Sequence, residues 1–151
     1  HSFPTDALPI SGLFDEEIKE ELHIPQTYGK EIKAKQLFVY SKENPLSKEN
    51  SVKLSVLLCL ENIYSLMKTN EQGLKYIDLS LESELSAWIT GAFGKIAVSV
   101  KKDEDLDTLK EQLKENDIHF MSKKIENNEC LVIEPKYPTN IDPLTKTLSL
   151  I

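Results

Sequence analysis

From residue 35 onward the apolar positions fall into short runs alternating with helix-spaced stripes. Residues 36–41 (Gln-Leu-Phe-Val-Tyr-Ser) form a β-branched and aromatic run bounded by the polar stretch 42–50 with its Pro45, which predicts a first strand. Ser51 stands where it can cap a long helix, with Val52, Val56, Leu60, Ile63 and Met67 on one face and Leu54, Leu57 and Leu58 on another. Apolar on two sides, this helix is expected to be largely buried. Within residues 74–92, Leu81, Leu85, Trp88 and Ile89 favour a second helix ending near Gly91 and Gly94. Residues 95–100 predict a second strand. Residues 103–115 predict an amphipathic helix with Leu106, Leu109 and Leu113 inward and its acids in the first turn.

Two short apolar strands follow, 118–121 and 130–133, joined by the polar loop 123–129. Residues 138–151 then read as a terminal helix with Asn140 as its cap and an apolar ending, Leu148-Ser-Leu-Ile151. The order β-α-α-β-α-β-β plus a terminal helix implies a small mixed sheet with helices on its faces. Parallel neighbours need helical crossovers, while the final pair can be antiparallel.

Residues 1–34 differ. They hold Pro4, Pro9 and Pro25, no convincing strand, and seven acids against three lysines. They read as an extension to the domain at 35–151. Inside it Phe14, Ile18 and Leu22 fall at i, i+4, i+8 on a segment opening with Asp15-Glu16-Glu17 and stopped by Pro25, the pattern of one or two helical turns. Such a piece is too short to be stable alone. Its stripe therefore either covers the chain's own domain or contacts a partner protein, and Phe14, Ile18 and Leu22 are the candidate partner-binding residues.

Length and composition fit one globular domain: 151 residues, 40% hydrophobic, 28% charged, and a formal charge of −7. The longest apolar run, 52–60, is broken by Lys53 and Ser55, so no membrane insertion is expected. Every basic residue is Lys, and the chain is acidic. Lacking the Arg forks best suited to phosphate and guanine, it offers little for nucleic acid, although tRNA binding is not excluded. Cys59 and Cys130, 71 positions apart in apolar surroundings, match neither a zinc nor a redox spacing and read as buried free thiols. The chain opens on His1, as expected of a processed or shortened product, which leaves an intracellular compartment, mitochondrial or cytoplasmic, open.

The usual signatures of chemistry are missing. There is no GxSxG, P-loop, GxGxxG or HExxH, and His1, His23 and His119 are scattered, so no cofactor or metal is expected. Asp103, Glu104, Asp105 and Asp107 crowd one helix start, which the helix dipole explains without a metal.

Residues 35–151 nevertheless resemble the type-2 peptidyl-tRNA hydrolase family. The likeness is carried by Lys95-Ile-Ala-Val-Ser-Val100, Asp103-Glu-Asp-Leu106, the helix running to Asn116-Asp-Ile118, Cys130-Leu-Val-Ile-Glu-Pro135, and the ending Ile141-Asp-Pro-Leu-Thr-Lys-Thr-Leu-Ser-Leu-Ile151. The tract Asp117-Ile-His-Phe-Met121 with Lys136-Tyr-Pro138 is similar to the peptidyl-tRNA hydrolase domain-containing branch. The resemblance implies a three-layer α/β/α sandwich on a four-stranded mixed sheet, and hydrolysis of the ester joining peptide to tRNA.

Both stretches that carry the family's chemistry depart from its pattern. Where the family has Gly-Lys-x-Ala-Ala-Gln-x-x-His, this chain has Lys48-Glu-Asn-Ser-Val-Lys-Leu-Ser-Val-Leu-Leu58. The Gln position falls on Leu54 or Ser55, the His position on Leu57 or Leu58, and Asn50 or Ser51 takes the lysine position in a gapless reading. Where the family has Asp-Ala-Gly-x-Thr-Gln, this chain has Lys123-Lys-Ile-Glu-Asn-Asn-Glu129. Substitutes for the lost groups reduce to Lys48 or Lys53 for phosphate and Ser55 or Glu126 for activating water. Losing one catalytic polar group commonly costs on the order of 10²–10⁴ in rate. The expectation is a domain without hydrolysis, kept as an interaction or structural subunit with its arm against a protein partner; the alternative is an active peptidyl-tRNA hydrolase.

Overall fold

The computed structural model describes residues 34–80 and 83–151. The arm with Phe14, Ile18 and Leu22, apart from Ala34, lies outside the described residues, as does Leu81. The described chain is a mixed α/β domain whose main sheet has five strands in the order β5-β6-β1-β4-β7. These are β1 (Lys35–Ser41), β4 (Gly94–Val100), β5 (Phe120–Ile125), β6 (Asn128–Lys136) and β7 (Ser149–Leu150). Strands β1 and β4 run parallel, and the other neighbours are antiparallel. The helices are α1 (Lys48–Ser65), α2 (Glu84–Ile89), α3 (Asp103–Glu115) and α4 (Pro138–Thr145), and a separate hairpin pairs β2 (Lys68–Thr69) with β3 (Lys75–Tyr76).

Side chains alternate across β1, so its neighbours serve different cores. Leu37 and Val39 pack with Val98 and Val100 of β4, Leu131 and Ile133 of β6, Leu106, Leu109 and Leu113 of α3, and Ile141 of α4. Phe38 packs with Leu54 and Leu58 of α1 and with Cys130 and Val132 of β6. Helix α1 lies against β5 and β6, whereas α3 lies against β1 and β4. Among the described residues α1 thus sits toward β5 and β6, which leaves the α1 side of β4 and β7 the less covered end of the sheet.

Helix α3 has the predicted bounds, and its ends show why. The Asp105 carboxylate accepts from Lys102 N, and Glu43 accepts from Asp103 N, so acids satisfy the first amides. At the other end Ile118 N donates to Leu113 O and Asp117 N to Lys114 O, a Schellman pair closed by Asp117 at φ 54°.

Several expectations are corrected. The sheet has five strands, not four: residues 149–150 leave the terminal helix and pair with Val98 and Ser99, covering part of β4's outer backbone edge. The terminal helix is capped at Tyr137 with Pro138 in its first turn, while the Asn140 side chain donates to Glu84 instead. Helix α1 begins one turn earlier than read, because Ser47, not Ser51, accepts from Asn50 N and the added turn is polar. The helix expected within residues 74–92 is present but covers only Glu84–Ile89 among the described residues, and ahead of it Asn70 Oδ1 accepts from Gln72 N and Leu74 N with Gly73 at φ 81°, the turn that pairs β2 with β3. The polar loop 123–129 contracts to Glu126 and Asn127, with strand pairing continuing on both sides to Ile125 and Asn128.

The largest correction concerns α1. Its buried residues are Leu54, Leu58 and Asn62, whereas Val52, Val56, Leu57 and Leu60 are exposed, Val52 and Leu60 each at 63%. The helix is buried along one stripe only. Two of its side chains tie it to β1 by polar contacts, with Gln36 Nε2 donating to Asn62 Oδ1 at 2.9 Å and Cys59 Sγ to Gln36 Oε1 at 3.5 Å. No described helix is long and apolar enough to cross a membrane.

Candidate functional site

The exposed flank of α1 and the uncovered part of the sheet form the walls of a groove. One stretch, about 360 Å³, is bounded by Phe38, Tyr40, Val56, Cys59, Leu60 and Lys95. The next, about 600 Å³, is bounded by Tyr40, Leu46, Val52, Val56, Leu150 and Ile151. Both share Tyr40, Ser55, Val56 and Ala97, so they are continuous. The walls are mostly apolar. Their only charged lining residues among those described are Lys42 and Lys95, and no carboxylate lines either stretch.

Ser55 is the one sequence candidate that lines this groove. Its Oγ donates to Ser51 O at 2.6 Å, so in its short contact with the Tyr40 hydroxyl the phenol donates. Ser55's proton is thus committed to the helix backbone, and no base among the described residues receives it. Burial pushes the Tyr40 phenol up to about 12, with Cys130 beside it adding to the rise and the Ser55 contact opposing it. Burial likewise pushes the Cys130 thiol up to about 12. At neutral pH neither is a base or a nucleophile.

The other candidates are dispersed. Lys48 opens α1 and is exposed; Lys53 pairs with Glu49 one turn earlier, 2.8 Å apart, with both side chains mostly in water. Glu126 sits exposed in the β5–β6 turn at φ 57°. Among the described residues no hydrogen bond or ion pair joins Lys48, Lys53 or Glu126 to Ser55. Leu54 and Leu58 are buried, and Leu57 is 43% exposed, so neither register places a polar side chain where the family has its His. His119 is exposed: its Nε2 lies 3.0 Å from Ser65 Oγ and its backbone N–H is held by Glu134. No group of three or more His, Cys, Asp or Glu among the described residues is arranged to hold a metal.

The strongest electrostatic cluster lies elsewhere. Glu84 accepts from Tyr137 N at 2.9 Å and from Asn140, and pairs with Lys136 at 2.9 Å, which in turn reaches Glu134 at 3.2 Å. Burial opposes ionisation of Glu84, but these donors together outweigh it and hold the carboxyl below its usual value. The cluster sets two carboxylates around one ammonium, with neutral donors on Glu84, and it fastens α2 to β6 and α4. Sequence reading missed Tyr40, Lys95, Ala97 and Ile151 as groove residues. The available signal was the second apolar flank of α1, which looked like added burial.

The class these observations define is a mixed α/β domain with an apolar, lysine-edged groove along its longest helix. Neither protein-family models nor curated proteins yield a match to this chain.

Proposed function

We propose that this chain is a peptidyl-tRNA hydrolase-like domain that has lost hydrolysis and serves as an interaction or structural subunit of a larger assembly, with the 1–34 arm contacting a protein partner. The observation that carries the reading is the character of the α1 groove. Where ester hydrolysis needs a positioned base and charge-stabilising polar groups, this groove presents Val52, Val56 and Leu60, and Ser55, the candidate hydroxyl that lines both of its stretches, is already donating to Ser51. The three-layer arrangement belongs to the same proposal; the packing of α1 with Phe38 and of α3 and α4 with Leu37 and Val39 favours it.

Phosphate recognition fits poorly with this surface. Several lysines are already paired, among them Lys53 with Glu49, Lys123 with Glu61 and Lys136 with Glu84. The test is tRNA binding measured against salt. A flat, weak dependence agrees with the proposal, and a steep fall, the mark of several phosphates neutralised, contradicts it. For the arm, removing residues 1–34 is expected to leave a folded domain that no longer co-purifies with its complex. Unfolding of the shortened chain would instead make the arm part of the domain's own core.

A further inference from the structure

The groove along α1 is apolar and open among the described residues, and the sequence outside them carries an apolar stripe of the same spacing. We infer that the groove seats the chain's own N-terminal stripe, Phe14, Ile18 and Leu22, within the same molecule. The inference is independent of the loss of hydrolysis, and beside the proposed partner contact it describes the chain without its partner, when the same stripe is held by the chain's own groove.

The first support is spacing. Val52, Val56 and Leu60 repeat at i, i+4, i+8, and so do Phe14, Ile18 and Leu22. At the helical rise both stripes are about 12 Å long, so two helical passes can interleave their side chains along the full length. The second is charge. Residues 15–21 carry Asp15, Glu16, Glu17, Glu20 and Glu21 against Lys19, while the charged side chains lining the groove among the described residues are Lys42 and Lys95. A second copy would bring its own lysine-edged groove to this one, which is less favourable.

The third is reach. Ala34 leads directly into β1, where Gln36 is in register with Lys95, and Lys95 lines one end of the groove. The twelve residues from Leu22 to Ala34 extend to about 40 Å, more than three times the roughly 12 Å length of the Val52–Leu60 stripe. Tethering also supplies a millimolar-range effective concentration, which compensates a segment too short to hold a helix alone. A protein partner that takes up the arm would then uncover the groove.

The chain carries its own reporters. Cys59 is half-buried and lines the groove, whereas Cys130 is fully buried beneath α1. The experiment is the rate of N-ethylmaleimide addition to each thiol, read by mass spectrometry, in the intact chain and in the Ile18→Asp/Leu22→Asp variant. Cys59 is expected to react about tenfold faster in the variant, as for release of a tethered segment, with Cys130 silent in both as the sign of an intact fold. Equal Cys59 rates overturn the inference. Protection in the intact chain that disappears on hundredfold dilution assigns the groove to a second copy and also overturns it. The Lys42→Glu/Lys95→Glu variant leaves both apolar stripes untouched and supplies a second reading: Cys59 must again react faster, and an unchanged rate counts against the arm. Adding a synthetic peptide of residues 12–24 in the millimolar range, matching the effective concentration of the tether, must restore slow labelling in the arm variant; failure to do so rejects the seat.

Discussion

Truncating two leucines two residues apart on α1 is expected to have very different costs. Leu58 is fully buried against Phe38, Leu54, Cys130 and Val132, while Leu60 is 63% exposed on the groove side. Leu58→Ala removes buried methyl groups and leaves a cavity, a change that costs about 2–5 kcal/mol in comparable cores. Leu60→Ala removes the same atoms from a site where roughly a third of the side chain is covered. At about 0.8 kcal/mol per fully buried methylene, its cost is near ~1 kcal/mol or less. The single Trp88, fully buried, gives an intrinsic fluorescence signal for urea unfolding. The difference between the variants should be about 2–3 kcal/mol with unchanged urea dependence, or about 4–12 °C in midpoint temperature. A seated arm would add to the Leu60 cost in the intact chain, so the comparison is made on the chain shortened to residues 34–151; equal costs there would show that α1 is buried on both flanks and would remove the groove altogether.

Replacing Glu84 by Gln should destabilise the chain at neutral pH by about 1–3 kcal/mol, because Lys136 loses its nearer partner in a half-buried site. Since the Glu84 carboxyl is held below its usual value, its contribution is present above the unfolded carboxylate range and is lost as pH falls through the folded value. Acid titration of unfolding free energy should therefore narrow the gap between native and Glu84→Gln chains; a constant gap refutes the assignment. At the alkaline end, burial raises Tyr40 and Cys130 to about 12, so their stabilising effect is complete below the unfolded values and lost as pH climbs toward 12. Tyr40→Phe should flatten part of that alkaline loss in the same titration, and an identical profile would refute the attribution. Asp117→Gly should raise the melting midpoint, since glycine relieves a left-handed position worth about 1 kcal/mol at the end of α3; a lower midpoint would contradict the Schellman reading.

The sequence made some of this domain legible and concealed the rest for definable reasons. Helix α3 and strand β1 were readable because one signal dominated each: Leu106, Leu109 and Leu113 with acids ahead of them, and an unbroken β-branched and aromatic run. Local hydrogen bonding decided what periodicity could not, as when the Asn70 side chain organises a hairpin turn and when Ser47 rather than Ser51 caps α1. The fifth strand was hidden because Ser149 and Leu150 are defined by a partner, Val98 and Ser99, fifty residues away. The groove was hidden for a related reason. Periodicity identifies apolar faces on α1 but does not say how far the helix sits toward β5 and β6, and that offset leaves Val52, Val56 and Leu60 uncovered.

The proposed loss of hydrolysis rests on the groove having, among the described residues, a committed Ser55 and no neighbouring base, and release of tRNA from a purified peptidyl-tRNA by the intact chain measures it most directly. The account predicts release no faster than the uncatalysed reaction even at high protein concentration. Release that rises with protein and disappears in Lys53→Ala or Ser55→Ala would contradict it.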